Sequence, residues 1–185
     1  MVVVDPDPGI FADFKFELEY IEERLWNYAY LNQGLTLTLD ANDGKGLRTF
    51  ESKRGLFDLL EAEVGGVRPD GSSGEGREGE AAGNTVLYDM GYYKGKQLEF
   101  AFTHTTSYGE SYFSFVNGQN TSDGGTHLSA FREGFLKGVN ELFKKDFTGS
   151  DVRDGFAAAV AVKLENPVFE SQTKNKLGNT DVRAW

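Results

Sequence analysis

The chain has 185 residues, a formal net charge of −10, no cysteine and two histidines. One domain of this length buries about 70% of its unfolded surface, and the lack of thiols excludes disulfides and thiolate metal sites, in keeping with a reducing, cytoplasmic setting. The acidity disfavours a generic nucleic-acid surface, but it is uneven: residues 1–130 carry 10 basic and 21 acidic side chains, residues 131–185 carry 9 and 8, so any DNA contact falls to a local face in the C-terminal third. Met1 to Val4 is followed at once by Asp5-Pro6-Asp7-Pro8, too short for a signal peptide, and no apolar run reaches membrane-spanning length.

Phe11 to Phe16 reads as a short extended segment, after which Ile21, Leu25, Tyr28 and Ala29 fall on one face of a helix. Asn32-Gln33-Gly34 closes it, with Gly34 as a left-handed cap. Leu35, Leu37 and Leu39 alternate with Thr36, Thr38 and Asp40, which predicts a strand with one dry face. A turn over Asn42 to Gly46 sends the chain back antiparallel along Leu47 to Glu51. Leu56, Leu59, Leu60 and Val64 then repeat at helical spacing behind Ser52, a candidate N-cap. Residues 65–84 are rich in glycine, serine and charge and predict a flexible loop.

Thr85 to Met90 and Leu98 to His104 read as strands joined at Lys94-Gly95, and with Tyr112 to Val116 they predict a three-stranded meander. Asn117 to Gly125 carries no apolar residue and ends in Gly124-Gly125, a sharp corner. Beyond it Leu128, Phe131, Phe135, Val139 and Leu142 recur at steps of three and four. That helix of about 18 residues is roughly 27 Å long, enough to lie across a sheet. Ser150 to Asp154 predicts one helical turn stopped by Gly155, and Ala157 to Leu164 a strand whose alanines let a helix approach closely. The elements together predict an α+β fold, a two-layer mixed sheet with helices on one face.

Two long motifs carry a family resemblance. Phe115-Val116-Asn117-Gly118-Gln119-Asn120-Thr121-Ser122-Asp123-Gly124-Gly125-Thr126-His127, with the Leu-Ser-Ala-Phe-Arg that follows, resembles the transducer domain in the B subunits of bacterial type IIA topoisomerases, DNA gyrase and topoisomerase IV. Asn166 to Gly178 is similar to the same family's segment with a Gln-Thr-Lys loop, in the right order downstream. The wording around Phe113 to Gln119 leans toward topoisomerase IV, with gyrase as the alternative. The resemblance implies a left-handed β-α-β crossover, as in the second domain of ribosomal small-subunit protein S-five, against the usual right-handed rule. It further implies that residues 1–185 form a single transducer domain. Residues 1–11 would be the tail of a preceding ATPase domain, and residues 165–185 the switch-lysine loop and the start of a link to a following cleavage domain. Expected partners are DNA, a topoisomerase A-type subunit and a second B-type copy paired through the ATPase domain, with no membrane. ATP would be bound by the ATPase domain and contacted from here, with Mg2+ needed in the full enzyme only.

By position in the motif, Gln172 and Lys174 are the cofactor-contacting residues the resemblance implies. Lysine suits a terminal phosphate because it places a compact charge on a flexible stem; from spacing alone, Lys174 and Lys176 read first as ordinary solvated lysines, and the motif match reverses that order. No catalytic residue and no metal ligands are expected, since His104 and His127 lie on separate segments and no cluster has ligand spacing. His127 could donate to a backbone or DNA group. Asp151, Asp154 and Asp181 read as caps and surface charges. Arg132, Lys137, Lys144 and Lys145 could face DNA, but Glu133 with Lys137 and Glu141 with Lys145 stand four apart and predict solvated pairs. Two other functions remain open: a small-molecule kinase of the same fold and an interaction module without a nucleotide role. The kinase would need a phosphate loop at Asp70 to Gly74, yet Glu75 to Gly83 offers neither an apolar stripe nor positive charge behind it.

Overall fold

The computed structural model describes residues 3–12, 14–73 and 85–184. Helix α1 spans Leu18–Leu31, strands β1 (Thr36–Asp40) and β2 (Leu47–Glu51) follow, and α2 runs Leu56–Gly65. Strands β3 (Leu87–Tyr93), β4 (Lys96–His104), β5 (Glu110–Val116) and the short β6 (Gln119–Asn120) lead into α3 (Thr126–Phe143). A single turn, α4 (Gly149–Arg153), then β7 (Phe156–Lys163) and a 3-10 turn at Asp181–Ala184 complete the described chain. β1 and β2 pair with each other, while the other five strands form a mixed sheet in the order β3-β4-β7-β5-β6.

The expected meander is not what forms. β3 and β4 do make an antiparallel hairpin, turned by Lys94 and Gly95 at φ of 47° and 77°. β7 then inserts between β4, to which it is antiparallel, and β5, to which it is parallel. The reason lies in its composition. Phe-Ala-Ala-Ala-Val-Ala-Val is apolar at successive positions rather than alternate ones, and every residue of β7 except Lys163 is buried. Such a strand is stable only in the middle of a sheet covered on both sides. β5, α3 and β7 therefore make a β-α-β unit with neighbouring parallel strands.

The α+β class and the mixed sheet are as the sequence predicts, but the helices occupy both faces rather than one. Successive strand side chains point to opposite faces. Ala157, Ala159 and Ala161, with Ala101 of β4, join Leu56, Leu59, Leu60, Trp26 and Tyr30 in the larger core, which puts α1 and α2 on that side. Phe156 lies against Phe135 of α3 at 4.6 Å between ring centroids, and Phe102 meets the same ring at 4.9 Å, which puts α3 on the other. The alanine face lets α2 come close, and the aromatic rings span the wider gap under α3.

Smaller departures have local causes. Residues 14–17 form no strand, and Phe11, Phe14 and Phe16 stand exposed. The buried side of α1 is Trp26, Ala29 and Tyr30, with Tyr28 exposed, because Trp26 stacks on Tyr30 and meets Phe50 of β2 edge-on, both at 5.4 Å. Gly55, not Ser52, is the N-cap residue of α2. The Ser52 hydroxyl accepts from the Gly55 N–H at 2.9 Å and donates to buried Asp58 at 2.8 Å, so it holds the turn that precedes the helix. In the loop predicted over 65–84, Arg68 N–H donates to the Ser72 carbonyl at 2.9 Å; residues 74–84, with most of that loop and Gly74 to Gly83 of the kinase comparison, lie outside the described residues. No helix among the described residues is long and apolar enough to cross a membrane.

Candidate functional site

After β7 the chain leaves the sheet and doubles back on itself. Phe169 and Leu177 form an antiparallel bridge, the Glu170 N–H donates to the Lys176 carbonyl at 3.0 Å, and the Gly178 N–H donates to the Val168 carbonyl at 2.8 Å. A turn closed by Lys174 N–H on the Ser171 carbonyl, at 3.1 Å, forms the tip. Ser171, Gln172, Thr173 and Lys174 are all exposed there. The structure thus brings Gln172 and Lys174 together on one tight hairpin.

The two lysines of this hairpin are not equivalent. Lys176 is tied across the arms to Glu170 at 3.0 Å. Lys174 makes no ion pair or side-chain hydrogen bond among the described residues, and its backbone sits in the left-handed region at φ of 58°, as Lys94 and Lys144 do elsewhere. Non-glycine residues hold that conformation at some cost. Its ammonium is therefore free to reach away from its own fold.

The hairpin is tip-free but base-fixed. Leu177 is fully buried with Val116, Val162, Leu164 and Val182, and Phe169 packs beside them. Its backbone runs against the mouth of α3: Leu177 N–H donates to the Gly124 carbonyl at 3.1 Å, and Thr126 N–H donates to the Leu177 carbonyl at 3.0 Å. Asp123 N–H donates to the Asn175 carbonyl at 3.0 Å. The two motifs read separately in the sequence are one structure.

His127, on the first turn of α3, is 3% exposed and so is closed to DNA. Its Nε2 lies 3.5 Å from the Thr121 hydroxyl, and Nδ1 has no partner among the described residues. Burial pushes its pKa from 6.5 down to about 4, so the ring is neutral at pH 7. A folded-state pKa below the unfolded value means that stability is intact above about pH 6.5 and is lost as pH falls toward 4. The stability difference between the native chain and His127→Gln is expected to shift against the native chain by on the order of 3 kcal/mol from pH 7 to pH 4, read in urea titrations.

The other candidates are taken up structurally. His104 Nε2 lies 3.1 Å from the Val152 carbonyl. Asp151 forms a capping box with Thr148, Asp154 accepts from the Gly109 N–H at 2.8 Å, and the Lys96 ammonium holds the Asp181 carboxyl below its ordinary range. Arg132 pairs with Glu110. Lys137 pairs with Glu141 at 3.8 Å, and Glu133 meets Arg183 at 3.8 Å, so the predicted pairs of Glu133 with Lys137 and Glu141 with Lys145 are exchanged for others within reach. Sequence reading missed the roles of Leu177 and Gly125. The paired glycine was visible as a corner, but what stood against it was not.

The sequence pattern that defines the DNA gyrase B family matches residues 72–185. The B subunit of DNA topoisomerase 4 from Borreliella burgdorferi is 44% identical over 177 residues, covering 96% of this chain and 26% of that protein. The B subunit of DNA gyrase from Cytophaga aurantiaca is 36% identical over 193 residues, covering 96% and 38%. The chain thus spans well under half the length of these curated relatives. Among solved structures, the 43K ATPase domain of Thermus thermophilus gyrase B, in complex with an aminocoumarin, matches with a TM-score of 0.77 at 30% identity, over 97% of this chain and 47% of that one. The topoisomerase IV ATP-binding domain of Francisella tularensis shares the fold, with a TM-score of 0.73 at 23% identity over 96% of this chain and 47% of that one.

Proposed function

Because the chain belongs to the DNA gyrase B family, we propose that it is the transducer segment of a topoisomerase IV-type B subunit, relaying ATP binding and hydrolysis in a neighbouring domain to DNA gate opening and strand passage. The observation that carries this reading is the free Lys174 ammonium at the tip of a hairpin whose base is fixed. The higher identity to the topoisomerase 4 relative, 44% against 36%, favours that type over gyrase.

The donor set of the exposed tip fits the rim of a nucleotide site. The tip offers an ammonium and an amide, while no group of three or more His, Cys, Asp or Glu among the described residues is placed to hold a metal. ATP, with its Mg2+, would supply the cleavable phosphate in the neighbouring domain. Lys174 would donate to the terminal phosphate oxygens with a charge-assisted hydrogen bond, and Gln172 would add a neutral donor beside it. Loss of that contact would free the hairpin and shift the population of domain orientations. A differential affinity of a few kcal/mol is enough for such a switch. DNA, an A-type subunit and a second B-type copy would be partners of the whole enzyme, in the cytoplasm.

On this reading the isolated chain, given ATP and Mg2+, turns over no nucleotide. A phosphate-release assay checks it. Steady hydrolysis by the purified chain would overturn this expectation, and ATP binding by the chain alone would favour the small-molecule kinase.

A further inference from the structure

The mouth of α3 breaks a rule of helix chemistry. Its N-cap residue is Gly125, at φ of 132°, and no side chain caps the helix. The first N–H groups of a helix need partners, which a Ser, Thr, Asp or Asn at that position commonly supplies. Here the Leu177 carbonyl accepts from the first of them, Thr126 N–H, at 3.0 Å. No larger residue could stand at 125. A Cβ there would fall 2.9 Å from the Leu177 Cα and closer still to its backbone nitrogen and oxygen. The returning arm of the hairpin has taken the space of a capping side chain, and the apolar pocket that buries Leu177 locks it there.

Along its length α3 lies on the sheet through Phe131 and Phe135, whose rings meet Phe100, Phe102 and Phe156 at 5.4, 4.9 and 4.6 Å. Only His127 of its side chains is buried. A cavity of about 240 Å³ lies between the helix and the sheet, bordered by Leu98, Phe100, His127, Phe131, Phe135 and Val182. At its mouth α3 is joined to the hairpin through Thr126 N–H on the Leu177 carbonyl, beside the bonds that Asp123 and Leu177 make just before it.

We propose that Gly125 and Leu177 are positioning residues for Lys174: the close fit of the hairpin's returning arm into the mouth of α3 fixes where the ammonium stands, so that hairpin and helix move as one body. This rests on the reading of Lys174 as the phosphate-contacting group. Neither Gly125 nor Leu177 touches the nucleotide. Their work is to hold the turn in register, and displacement of a positioned group by about 1 Å can cost on the order of a hundredfold in rate.

The test is a mutant cycle in the whole subunit, assembled with its partner subunit. Gly125→Ala is expected to lower the kcat of ATP hydrolysis by on the order of a hundredfold with little change in KM, and Gly125→Ala with Lys174→Ala to be no slower than Lys174→Ala alone. Leu177→Ala is expected to behave like Gly125→Ala, and Leu177→Met to regain most of the rate. Hydrogen exchange on the same subunits, without nucleotide, is expected to rise together over residues 122–128 and 168–180 in Gly125→Ala, with β7 unchanged. If Gly125→Ala does not fold, Leu177→Ala takes its place in the cycle. Full kcat in both variants beside an impaired Lys174→Ala overturns the clamp and spares the Lys174 reading. A fully active Lys174→Ala overturns both. Losses that multiply in the double variant, or exchange that rises over one stretch and not the other, overturn the clamp.

Discussion

Lys174→Ala, made in the whole subunit, is expected to lower ATP-driven strand passage by about a hundred- to a thousandfold, equivalent to about 2.7–4 kcal/mol of transition-state stabilisation. The magnitude is that of losing one charge-assisted donor at a site of developing charge. The structure makes the prediction specific to this lysine. Lys176, two residues along, is committed to Glu170 at 3.0 Å and is about half exposed. An exposed pair of that kind contributes about 0–1 kcal/mol to stability, so Lys176→Ala is expected to retain strand passage. Lys174→Arg keeps the charge but replaces a compact ammonium by a planar fork, and intermediate activity is expected. A Lys174→Ala variant that passes DNA as well as the unaltered protein would leave the chain as an interaction module with no nucleotide role.

Phe156→Ala is expected to cost about 3–5 kcal/mol of folding stability, the range for truncating a buried aromatic. Phe156 is 1% exposed at the start of β7, and its ring meets Phe135 at 4.6 Å, His104 at 5.3 Å, Phe102 at 5.6 Å and Tyr112 at 6.0 Å. Those partners come from α3 and from β4 and β5, and the two strands are held by their pairing with β7 on either side, so the space left behind closes little. Leu142→Ala, by contrast, removes a side chain that is 77% exposed near the end of α3 and is expected to change stability by no more than about 0.5 kcal/mol. Urea denaturation of the two variants, compared at equal slope, checks both values. A loss of less than about 1 kcal/mol for Phe156→Ala would mean that the aromatic face is not a packed layer.

Local features were legible in the sequence because local rules fix them. The 3.6-residue periodicity placed α1, α2 and α3, the Lys94-Gly95 pair placed the β3–β4 turn, and the Leu-Thr alternation placed β1 with its partner. Long-range pairing was not legible, since β7 comes last in the chain yet lies between β4 and β5. The continuous apolar run of β7 did carry that signal. It is the composition of a strand buried on both faces, and it should have ruled out helices on one face alone. The site divided in the same way. Gln172 and Lys174 are proposed from their motif, and their exposure is a property of the turn they form. Leu177 looked like any leucine near a chain end, because its meaning depends on Gly124 and Gly125, which sequence distance hides and three backbone hydrogen bonds between residues 123–126 and 175–177 reveal.

The absence of room for a side chain at position 125 makes two distant stretches a single unit for engineering. A graft that imports residues 165–180 from a relative also imports a backbone path that has been shaped against that relative's own glycine corner. Recombination points that separate residues 123–126 from residues 168–178 therefore divide one joint between two parents, whereas points placed outside both keep it whole.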